Sequence, residues 1–279
     1  MIVLELFKVG HCWHPEAMVF RNFNMRKIKF PAYVGLIRHP TKGLVLFDTG
    51  YAKRFADVTK TFPERAYSLL TPMELSCKEN LIEQLTNNGV SPSDIKYIFI
   101  SHFHADHIAG LLDFADAKFI CSKVAFTEIM RLGRLSGLIK GYLKKLVPID
   151  FHKRCIFIED LRPTGLDRKL KPFHQGFDLF SDGSLLAIKL PGHAAGHYGL
   201  YYAGSNSGTF LVGDAVWTKD AYEKSIYPNP LAYLIMDSRK AYIETLDDLA
   251  KLYGNNKQLK IIPSHCEQSF IEYSRVSKN

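Results

Sequence analysis

Short apolar runs rich in β-branched residues recur along the chain and predict most of its strands. Several of these runs are bounded by Gly, Pro, Asn or Asp, as β-strands usually are. They predict strands over residues 2–7, 33–37, 44–48, 96–101, 118–121, 185–190, 198–202, 209–213 and 259–262. Elsewhere Leu, Ile, Ala and Tyr recur three or four positions apart, as on one face of a helix. This spacing predicts helices over residues 75–88, 107–114, 122–146 and 236–252.

The predicted elements form two strand-rich halves, each followed by helices. This order indicates β-sheets packed together with helices outside them. The chain of 279 residues is 47% hydrophobic and 23% charged, which is ordinary for a globular protein with a large core. We expect a single domain over residues 1–279.

The stretch 122–176 stands apart from this pattern and predicts a helical cap or insertion. Three glycines, Gly133, Gly137 and Gly141, interrupt its apolar stripe. A lid over a pocket and a helix packed on the core both have such stripes, and packing on the core is the commoner case. The stripe consists of Ile129, Leu132, Leu135, Leu138, Ile139, Tyr142, Leu143 and Leu146.

Charge and targeting signals narrow the classes of partner. The net charge is +8, with much of the excess in residues 131–154. Such a balance attracts phosphates, nucleic acid or anionic lipid, although a solvated surface is the ordinary interpretation. No base-reading motif accompanies it, so we expect no sequence-specific binding of nucleic acid.

Location is predicted from the first residues and the cysteines. The start of the chain lacks the features of a secretory signal, and no run of eighteen apolar residues predicts a transmembrane segment. Five scattered cysteines without a CxxC pair favour reduced thiols over disulfides or a thiolate zinc site. We therefore expect a cytoplasmic protein.

Four potential metal ligands lie within the segment SHFHADHIAG, residues 101–110. His102 and His104 are two positions apart after an apolar strand, so in extended chain they point to one side. Asp106 and His107 follow where a helix opens. Asp106 could act only as a helix N-cap and His107 only as a polar first-turn residue, but together the four favour a metal site.

Three further candidates follow other predicted strands. They are His193 in LPGHAAGH, Asp214 in LVGDAVW and His265 in IIPSHCE. Neutral imidazole and carboxylate are the ligands of zinc and related divalent ions. Because each candidate comes just after an apolar run, we expect their loops to converge at one edge of the sheets.

The motifs HFHADH, PGH, GDA and PSH, with LFDTG at residues 46–50, occur in the order and approximate spacing of metallo-β-lactamase-fold hydrolases. The chain resembles this superfamily over about residues 30–270. Within it, SHFHADHIAG, LPGHAAGH and GDAVWTKD are most similar to the N-acyl-homoserine-lactone lactonases, which are quorum-quenching enzymes. The resemblance implies an α/β (α+β) fold, a four-layer αβ/βα sandwich of two mixed β-sheets with helices on the outer faces.

The resemblance also implies two divalent metal ions and their ligands. Zinc is expected, with iron, manganese or cobalt as alternatives. One ion would have His102, His104 and His193 as ligands, the other would have Asp106, His107 and His265, and Asp214 would bridge the two.

Two nearby residues have supporting roles in this scheme. Asp48 in LFDTG matches a position that orients loops or ligands near the site, although it could equally be a simple turn carboxylate. His197 is expected to support a ligand or to pack, because His193 already fills the ligand position of its segment. The small residues between them allow the backbone close to the metals.

The activity implied is opening of a small-molecule lactone or related ester by a hydroxide that bridges the metals. Asp214 would be catalytic as the bridging ligand, and Asp106 would carry the proton to the leaving group. Hydrolysis of phosphodiesters, phosphotriesters or thioesters is the alternative enzyme reaction. A metal-loaded sensor without turnover is a third interpretation, and a homodimer is left open.

Two positions depart from the lactonase pattern. Lactonases have a substrate-contacting tyrosine three residues after the bridging aspartate, where this chain has Trp217, and an aspartate where it has Cys266. Trp217, Tyr222 or Tyr227 would have to replace that phenol. The other predicted substrate contacts belong to the cap and would enclose an acyl chain or aromatic group: Phe126, Ile129, Met130, Leu138 and Tyr142.

Overall fold

Two mixed β-sheets make up the centre of the computed structural model, which describes residues 1–19, 24–204 and 208–276. The strands are β1 (Val3–Pro15), β2 (Lys27–His39), β3 (Gly43–Phe47), β4 (Met73–Glu74), β5 (Ile95–Phe99), β6 (Lys118–Cys121), β7 (Cys155–Phe157), β8 (Pro163–Gly165), β9 (Gln175–Asp178), β10 (Leu186–Lys189), β11 (Tyr198–Tyr202), β12 (Thr209–Gly213) and β13 (Lys260–Pro263). The α-helices are α1 (Glu16–Val19), α2 (Lys53–Val58), α3 (Glu64–Leu70), α4 (Leu81–Asn87), α5 (Ala105–Ile108), α6 (Lys123–Arg131), α7 (Arg134–Ile139), α8 (Phe151–Arg154), α9 (Lys219–Glu223), α10 (Arg239–Asn255) and α11 (Glu267–Val276).

Strand direction explains why the carboxyl ends of several strands meet at one edge. The first sheet has the order β4-β1-β2-β3-β5-β6-β7 and the second has the order β13-β12-β11-β10-β9-β8. In the first, β3, β5, β6 and β7 are parallel, and β1 has the same direction because both β1 and β3 are antiparallel to β2. In the second, β10 and β12 are both antiparallel to β11, and β13 is parallel to β12. The loops that follow these strands therefore gather together.

Apolar residues on both faces of the strands form two layers of core. Val45 and Phe47 belong to a cluster shared by both sheets, with Leu200 from the opposite sheet, whereas the intervening Leu46 packs in the larger cluster that includes helical residues. Alternate residues of a strand point to opposite faces, so a continuously apolar strand fits between another sheet and a helix layer. The predicted four-layer sandwich of two mixed sheets is confirmed.

The predicted cap has a more divided structure than one helix over 122–146. The helix ends at Arg131 and restarts at Arg134, because Gly133 has the extended backbone of an N-cap. The helical part ends at Arg154, and β7, β8 and β9 then return the chain to the two sheets. A cap that reaches residue 176 as a separate unit stays a prediction.

Helix length and cysteine state complete the description. Within the described ranges, no helix combines the length and apolar character needed to cross a bilayer. The five cysteines are free, and Cys12, Cys121 and Cys266 are buried.

Candidate metal centre

The candidate ligands lie at the ends of strands, where direction brings them to one edge. His102 and His104 follow β5, and the chain then enters α5, which places Asp106 and His107 in a first helical turn. His193 follows β10, Asp214 follows β12 and His265 follows β13. Ligands from both sheets therefore face each other across the sandwich edge.

Potential donor atoms of these seven residues form three overlapping groups. Within each group the atoms lie within 4.8 Å of one another. The groups are His102, His104 and His193, then His102, His107 and Asp214, and finally Asp106, His107 and His265.

Asp214 lies between the histidines of the two proposed ligand sets. Its Oδ2 is 3.3 Å from His193 Nε2, and its Oδ1 is 3.3 Å from His107 Nε2 and 3.0 Å from His265 Nε2. Asp106 Oδ2 lies 3.4 Å from His265 Nε2 on the far side. One carboxylate thus faces histidines of both sets, as a bridging ligand must.

Unsatisfied polar atoms provide a direct test of whether metal ions fit. His102 Nε2 is buried without a hydrogen-bond partner, and His107 Nε2 and Asp214 Oδ1 form no hydrogen bond although they lie 3.3 Å apart. A buried polar atom in this condition costs about 1–3 kcal/mol, so such atoms are rare unless something else binds them. In addition, His193 Nε2 lies 3.0 Å from His104 Nδ1, so two ring nitrogens point into one space. The nitrogen and oxygen donors fit divalent ions of the zinc class.

Asp48 orients one histidine in each proposed set. Its Oδ2 accepts hydrogen bonds from His107 Nδ1 at 2.7 Å and from Ser101 Oγ at 2.8 Å. Ser101 Oγ is 3.0 Å from His102 Nδ1, and since its own hydrogen is used by Asp48 it accepts from that nitrogen. When neutral, both imidazoles therefore carry their hydrogen on Nδ1 and can present an Nε2 lone pair to a metal ion, which is the usual effect of a residue behind a ligand.

The turn that holds Asp48 has an unusual backbone. Asp48 has a φ of +60°, in the left-handed region that residues other than Gly, Asn and Asp rarely adopt. Ser101 N donates to Asp48 Oδ1 at 2.8 Å and Asp48 N donates to Phe99 O, so β3 and β5 hold the turn on both sides. The structure supports the orienting role proposed for Asp48 over that of a solvated turn carboxylate.

His265 is held by contacts that no local sequence signal marks. Its Nδ1 donates to the backbone oxygen of Pro31 at 2.6 Å, which leaves Nε2 directed at Asp214. The Phe30 ring stacks on the imidazole with centroids 4.1 Å apart. Phe30 and Pro31 lie 234 or more positions away in the chain, so only the folded arrangement identifies them. Ser101, in contrast, adjoins the histidine motif and could have been found.

Burial and charge set the protonation of the donors. Burial lowers the pKa of His102 and His193 and lowers that of His104 to about 4, so these imidazoles are neutral and can donate lone pairs. For His107 and His265 burial also favours the neutral form, but nearby carboxylates, with Asp214 the strongest, outweigh it and raise the pKa. Burial opposes ionisation of Asp214, yet the surrounding histidines hold its pKa well below the usual range.

His197 supports the centre without joining a ligand group. Its Nε2 accepts a hydrogen bond from the backbone N–H of Asp214 at 3.1 Å. Burial lowers its pKa to about 3, which keeps this nitrogen an acceptor. Gly213 adjoins the ring so closely that a Cβ there would lie 2.8 Å from His197 Nε2. The supporting role proposed for His197 agrees with this contact.

Of the three candidates for the missing phenol, only Trp217 adjoins the donors. Its Nε1 donates to Asp214 Oδ2 at 3.2 Å, and its ring lies 5.9 Å from that of His193. Tyr222 OH donates to Ile261 O, and Tyr227 OH donates to Asp247 Oδ1, both away from the donor groups. Both hydroxyls are thus engaged with the protein, and substrate contacts by Tyr222 and Tyr227 stay predictions.

The cap residues also divide. Tyr142 lies over His104, with ring centroids 5.6 Å apart, so it borders the centre. Phe126 packs instead among Phe103, Phe151 and Phe157, which makes it a core residue. Three more of the predicted contacts differ in exposure: Ile129 is buried, Leu138 is partly buried against the core and Met130 is exposed.

A comparison with protein families covers most of the residues that form this centre. The model of the metallo-beta-lactamase superfamily matches residues 28–255. The chain belongs to this superfamily. It is accordingly a metal-dependent hydrolase, and the resemblance drawn from HFHADH, PGH and GDA is confirmed.

Relatives of this superfamily member include several lactonases. N-acyl homoserine lactonase AttM of Rhizobium radiobacter is 26% identical over 251 residues, 89% of this chain and 86% of the relative. N-acyl homoserine lactonase AiiB of Agrobacterium fabrum is also 26% identical, over 88% of this chain and 83% of its own. A crystal structure of an N-acyl homoserine lactone hydrolase with bound N-hexanoyl-L-homoserine superposes with a TM-score of 0.71 at 18% identity, covering 97% of this chain and 95% of that one. At that identity the superposition shows the shared fold.

Proposed function

We propose that this hydrolase opens the ring of N-acyl-homoserine-lactone-type substrates or of closely related esters at a dinuclear metal centre. The observation that carries the proposal is the convergence of six His and Asp donors on both sides of a seventh, Asp214. Two relatives, each aligned over more than four-fifths of both chains, are named N-acyl homoserine lactonases. The reaction would thus act on a small molecule that carries an acyl chain.

The proposed ligand sets are His102, His104 and His193 for one ion, and Asp106, His107 and His265 for the other, with Asp214 shared. When bound, two divalent ions supply a Lewis acid for the carbonyl oxygen and lower the pKa of water to about 7. We propose zinc, because the donors are imidazole and carboxylate and because the structural neighbour AidC is a dizinc quorum-quenching lactonase.

Asp106 is the proposed carrier of the proton to the leaving alkoxide. Its side chain is 14% exposed, whereas that of Asp214 is 5% exposed and enclosed by histidines. Asp106 Oδ2 therefore borders the open side of the centre, where a substrate oxygen can approach it. A general acid needs this reach before its acidity matters.

Aromatic rings border the centre and are the proposed substrate contacts. Trp217 and Phe30 meet edge to face at 5.8 Å, and His14 meets Phe30 in the same manner at 5.7 Å. Tyr142 contributes from the helical cap. Because the Trp217 N–H is used by Asp214, its indole would act on a substrate as an apolar wall.

Elemental analysis coupled to a substrate panel tests the proposal. We expect about two metal ions per chain and turnover of acyl lactones, with slower cleavage of thioesters and bis-aryl phosphates. Asp214→Asn should lose metal and more than about a hundredfold of kcat/KM, since it removes the shared ligand. Asp248→Asn, which alters an exposed pair with Lys251, is the matched control.

Phosphoester hydrolysis is the second candidate, favoured by one observation. Trp217 provides no phenol for a lactone carbonyl, so rapid cleavage of phosphate esters without lactone turnover would reverse the order. A metal-loaded chain that turns over none of the panel would instead favour the sensor.

We propose the cytoplasm as the location of this protein, because its five free cysteines fit a reducing compartment.

A further inference from the structure

Six large apolar side chains in three segments are exposed to an unusual degree. They are 61% to 78% exposed, and we call them the apolar collar: Phe62, Leu69, Leu70, Leu135, Ile139 and Leu234. Single exposed apolar residues are normal on proteins, but a contiguous group marks an interaction surface.

Polar contacts join the three segments into one surface. Arg134, the first residue of α7, pairs with Glu64 at the start of α3 and donates to Phe62 O. At the other end of α7, Lys140 lies 3.6 Å from Asp237, shortly after Leu234. Helix α7 therefore lies between the other two parts of the collar.

The same surface adjoins the metal centre. A Cβ built on Gly141 would lie 3.0 Å from His104 Cδ2, so the backbone after α7 contacts a candidate ligand. Tyr142 follows, with its ring over His104. The collar residue Ile139 is therefore two positions from backbone that contacts the metal centre.

Positive charge accompanies the collar. Residues 122–154 contain eight Lys or Arg and two Asp or Glu, in a chain of net charge +8. Five of the eight basic residues form ion pairs: Arg131 with Glu128 and Arg154 with Asp150 inside the segment, and Lys123, Arg134 and Lys140 with Asp160, Glu64 and Asp237 outside it. Lys145 and Lys153 are exposed and have no ion pair within the described ranges. These two unpaired lysines favour an anionic partner at this surface.

Charge and exposure together select one class of partner. A second copy joined by a two-fold axis would place the same basic segment against itself, which is unfavourable. Nucleic acid would satisfy the lysines but would leave the apolar side chains in water. An anionic lipid surface accepts apolar side chains at the headgroup boundary and attracts lysines around them.

We propose that the collar and the basic segment dock this protein on anionic phospholipid membranes. Docking would turn the entrance of the metal centre toward the region where acyl chains partition. The proposal does not depend on which bond is hydrolysed, because lipid binding is measured without substrate.

Sedimentation with phospholipid vesicles tests this directly. The metal-loaded protein is mixed with vesicles of phosphatidylcholine alone or with 30% phosphatidylglycerol, at about 0.1 M salt, where screening acts over roughly 10 Å. We expect binding to the anionic vesicles, at least about tenfold weaker binding to the neutral ones, and weakening as salt rises.

Paired variants separate the two contributions. Leu135→Ser with Ile139→Ser should weaken binding at least about tenfold by removing apolar insertion. Lys145→Gln with Lys153→Gln should weaken it by roughly fivefold for each lysine. Controls at other surfaces are Val3→Ser with Ile271→Ser, and Lys96→Gln with Lys118→Gln. Both controls should bind as the parent does, and all variants should keep the parent's circular dichroism and melting temperature.

Three results would overturn the proposal. The first is no binding to either vesicle, and the second is binding that the collar variants leave unchanged. The third is a concentration-dependent dimer in sedimentation equilibrium that Leu135→Ser with Ile139→Ser abolishes, because the collar would then be an interface between copies. Lactone turnover that persists in any of these cases leaves the proposed reaction standing.

Discussion

Asp48 connects the two halves of the metal centre although it is outside the seven-donor set. Its carboxylate accepts from His107 directly and controls His102 through Ser101. Because each contact uses an Nδ1–H, both histidines present Nε2 to the centre. A single residue thus sets the tautomer of one ligand in each proposed set.

Asp48→Asn should reduce metal affinity by roughly 10- to 100-fold, as replacement of partners behind metal ligands generally does. Asparagine tolerates the positive φ, so the turn itself should survive. Metal content by mass spectrometry during chelator competition measures the effect. Asp113→Asn is the control, because Asp113 pairs with Arg54 and not with a candidate ligand. Equal metal affinity in both variants would contradict the orienting role of Asp48.

The indole of Trp217 has a similar task at the shared carboxylate. Hydrogen bonds to charged groups are worth about 1.5–3 kcal/mol, so Trp217→Phe should weaken metal binding roughly tenfold or more. The phenyl ring preserves most of the contact with Phe30. Chelator competition again provides the readout. Trp13→Phe removes an N–H that donates to Glu74 instead, and an equal loss there would argue against a specific contribution.

At the scale of elements, the β10–β11 loop must pass very close to a helix. A Cβ on Gly192 would lie 2.1 Å from Tyr242 N, near the start of α10, and its φ is +126°. A Cβ on Gly196 would lie 2.2 Å from Ser122 Oγ. The two glycines explain how the loop positions His193 against its neighbours.

Gly192→Ala should destabilise the fold by about 3 kcal/mol or more, because backbone atoms cannot move aside as side chains can. Thermal unfolding followed by circular dichroism measures this. Gly254→Ala, inside α10 and without a close neighbour, should instead stabilise by about 0.5–1 kcal/mol. Gly89→Ala shows the cost of positive φ alone, and a Gly192 variant no worse than it would contradict the steric argument.

Helices α3 and α7 are joined by Glu64 and Arg134, and this contact depends on pH. The Arg134 hydrogen bonds lower the pKa of Glu64 to about 2, against the opposing effect of burial. A lowered folded-state pKa stabilises the fold above the ordinary value near 4.5, and this contribution is lost as pH falls toward 2.

Glu64→Gln should therefore lower the melting temperature at pH 6, and its difference from the parent should narrow at pH 3. Melting curves at several pH values test the trend. Protonation of histidines affects parent and variant alike, so the difference isolates the pair. Glu83→Gln, at an exposed helical position, should show no such trend, and a constant Glu64 difference would refute the linkage.

For the whole molecule, the metal centre joins loops from both sheets, and its buried polar donor atoms lower the stability of the metal-free fold. His102 Nε2 is buried without a hydrogen-bond partner, and the neighbouring His107 Nε2 and Asp214 Oδ1 form no hydrogen bond. Ions that bind only the folded state stabilise it, by about 2.7 kcal/mol at a hundred times the dissociation constant. The core on both sides of the sheets is independent of these donors.

Chelation should therefore lower the melting temperature by roughly 5–10 °C for a chain of this size while leaving far-ultraviolet circular dichroism unchanged. Added zinc should restore the original value. Asp214→Asn should respond less to both treatments, since it lacks the shared ligand. A chelator effect of equal size in that variant would place the responsible ions elsewhere.

Local sequence predicted the parts of this molecule that local physics controls. Apolar runs located the strands because alternating side chains must be buried on both faces, as Val45 and Leu46 are. The glycines that interrupt the stripe over 122–146 did not reveal that the helix itself ends and restarts at Gly133, and the stripe did not reveal that Leu135 and Ile139 are exposed. Exposure depends on which neighbours fold over a helix, which periodicity does not contain.

The sequence by itself nominated seven metal donors, because each ligand motif directly follows a predicted strand, and its resemblance to the superfamily implied the fold class. Only the tertiary structure decided how those donors are supported. Pro31 O holds His265, Ser101 relays Asp48 to His102, and Trp217 rather than Tyr222 reaches Asp214. Pro31 lies far from His265 in the chain and Asp48 lies far from Ser101, so these two contacts exist only in the folded chain, whereas Trp217 is three residues from Asp214 and only its side-chain direction needed the structure.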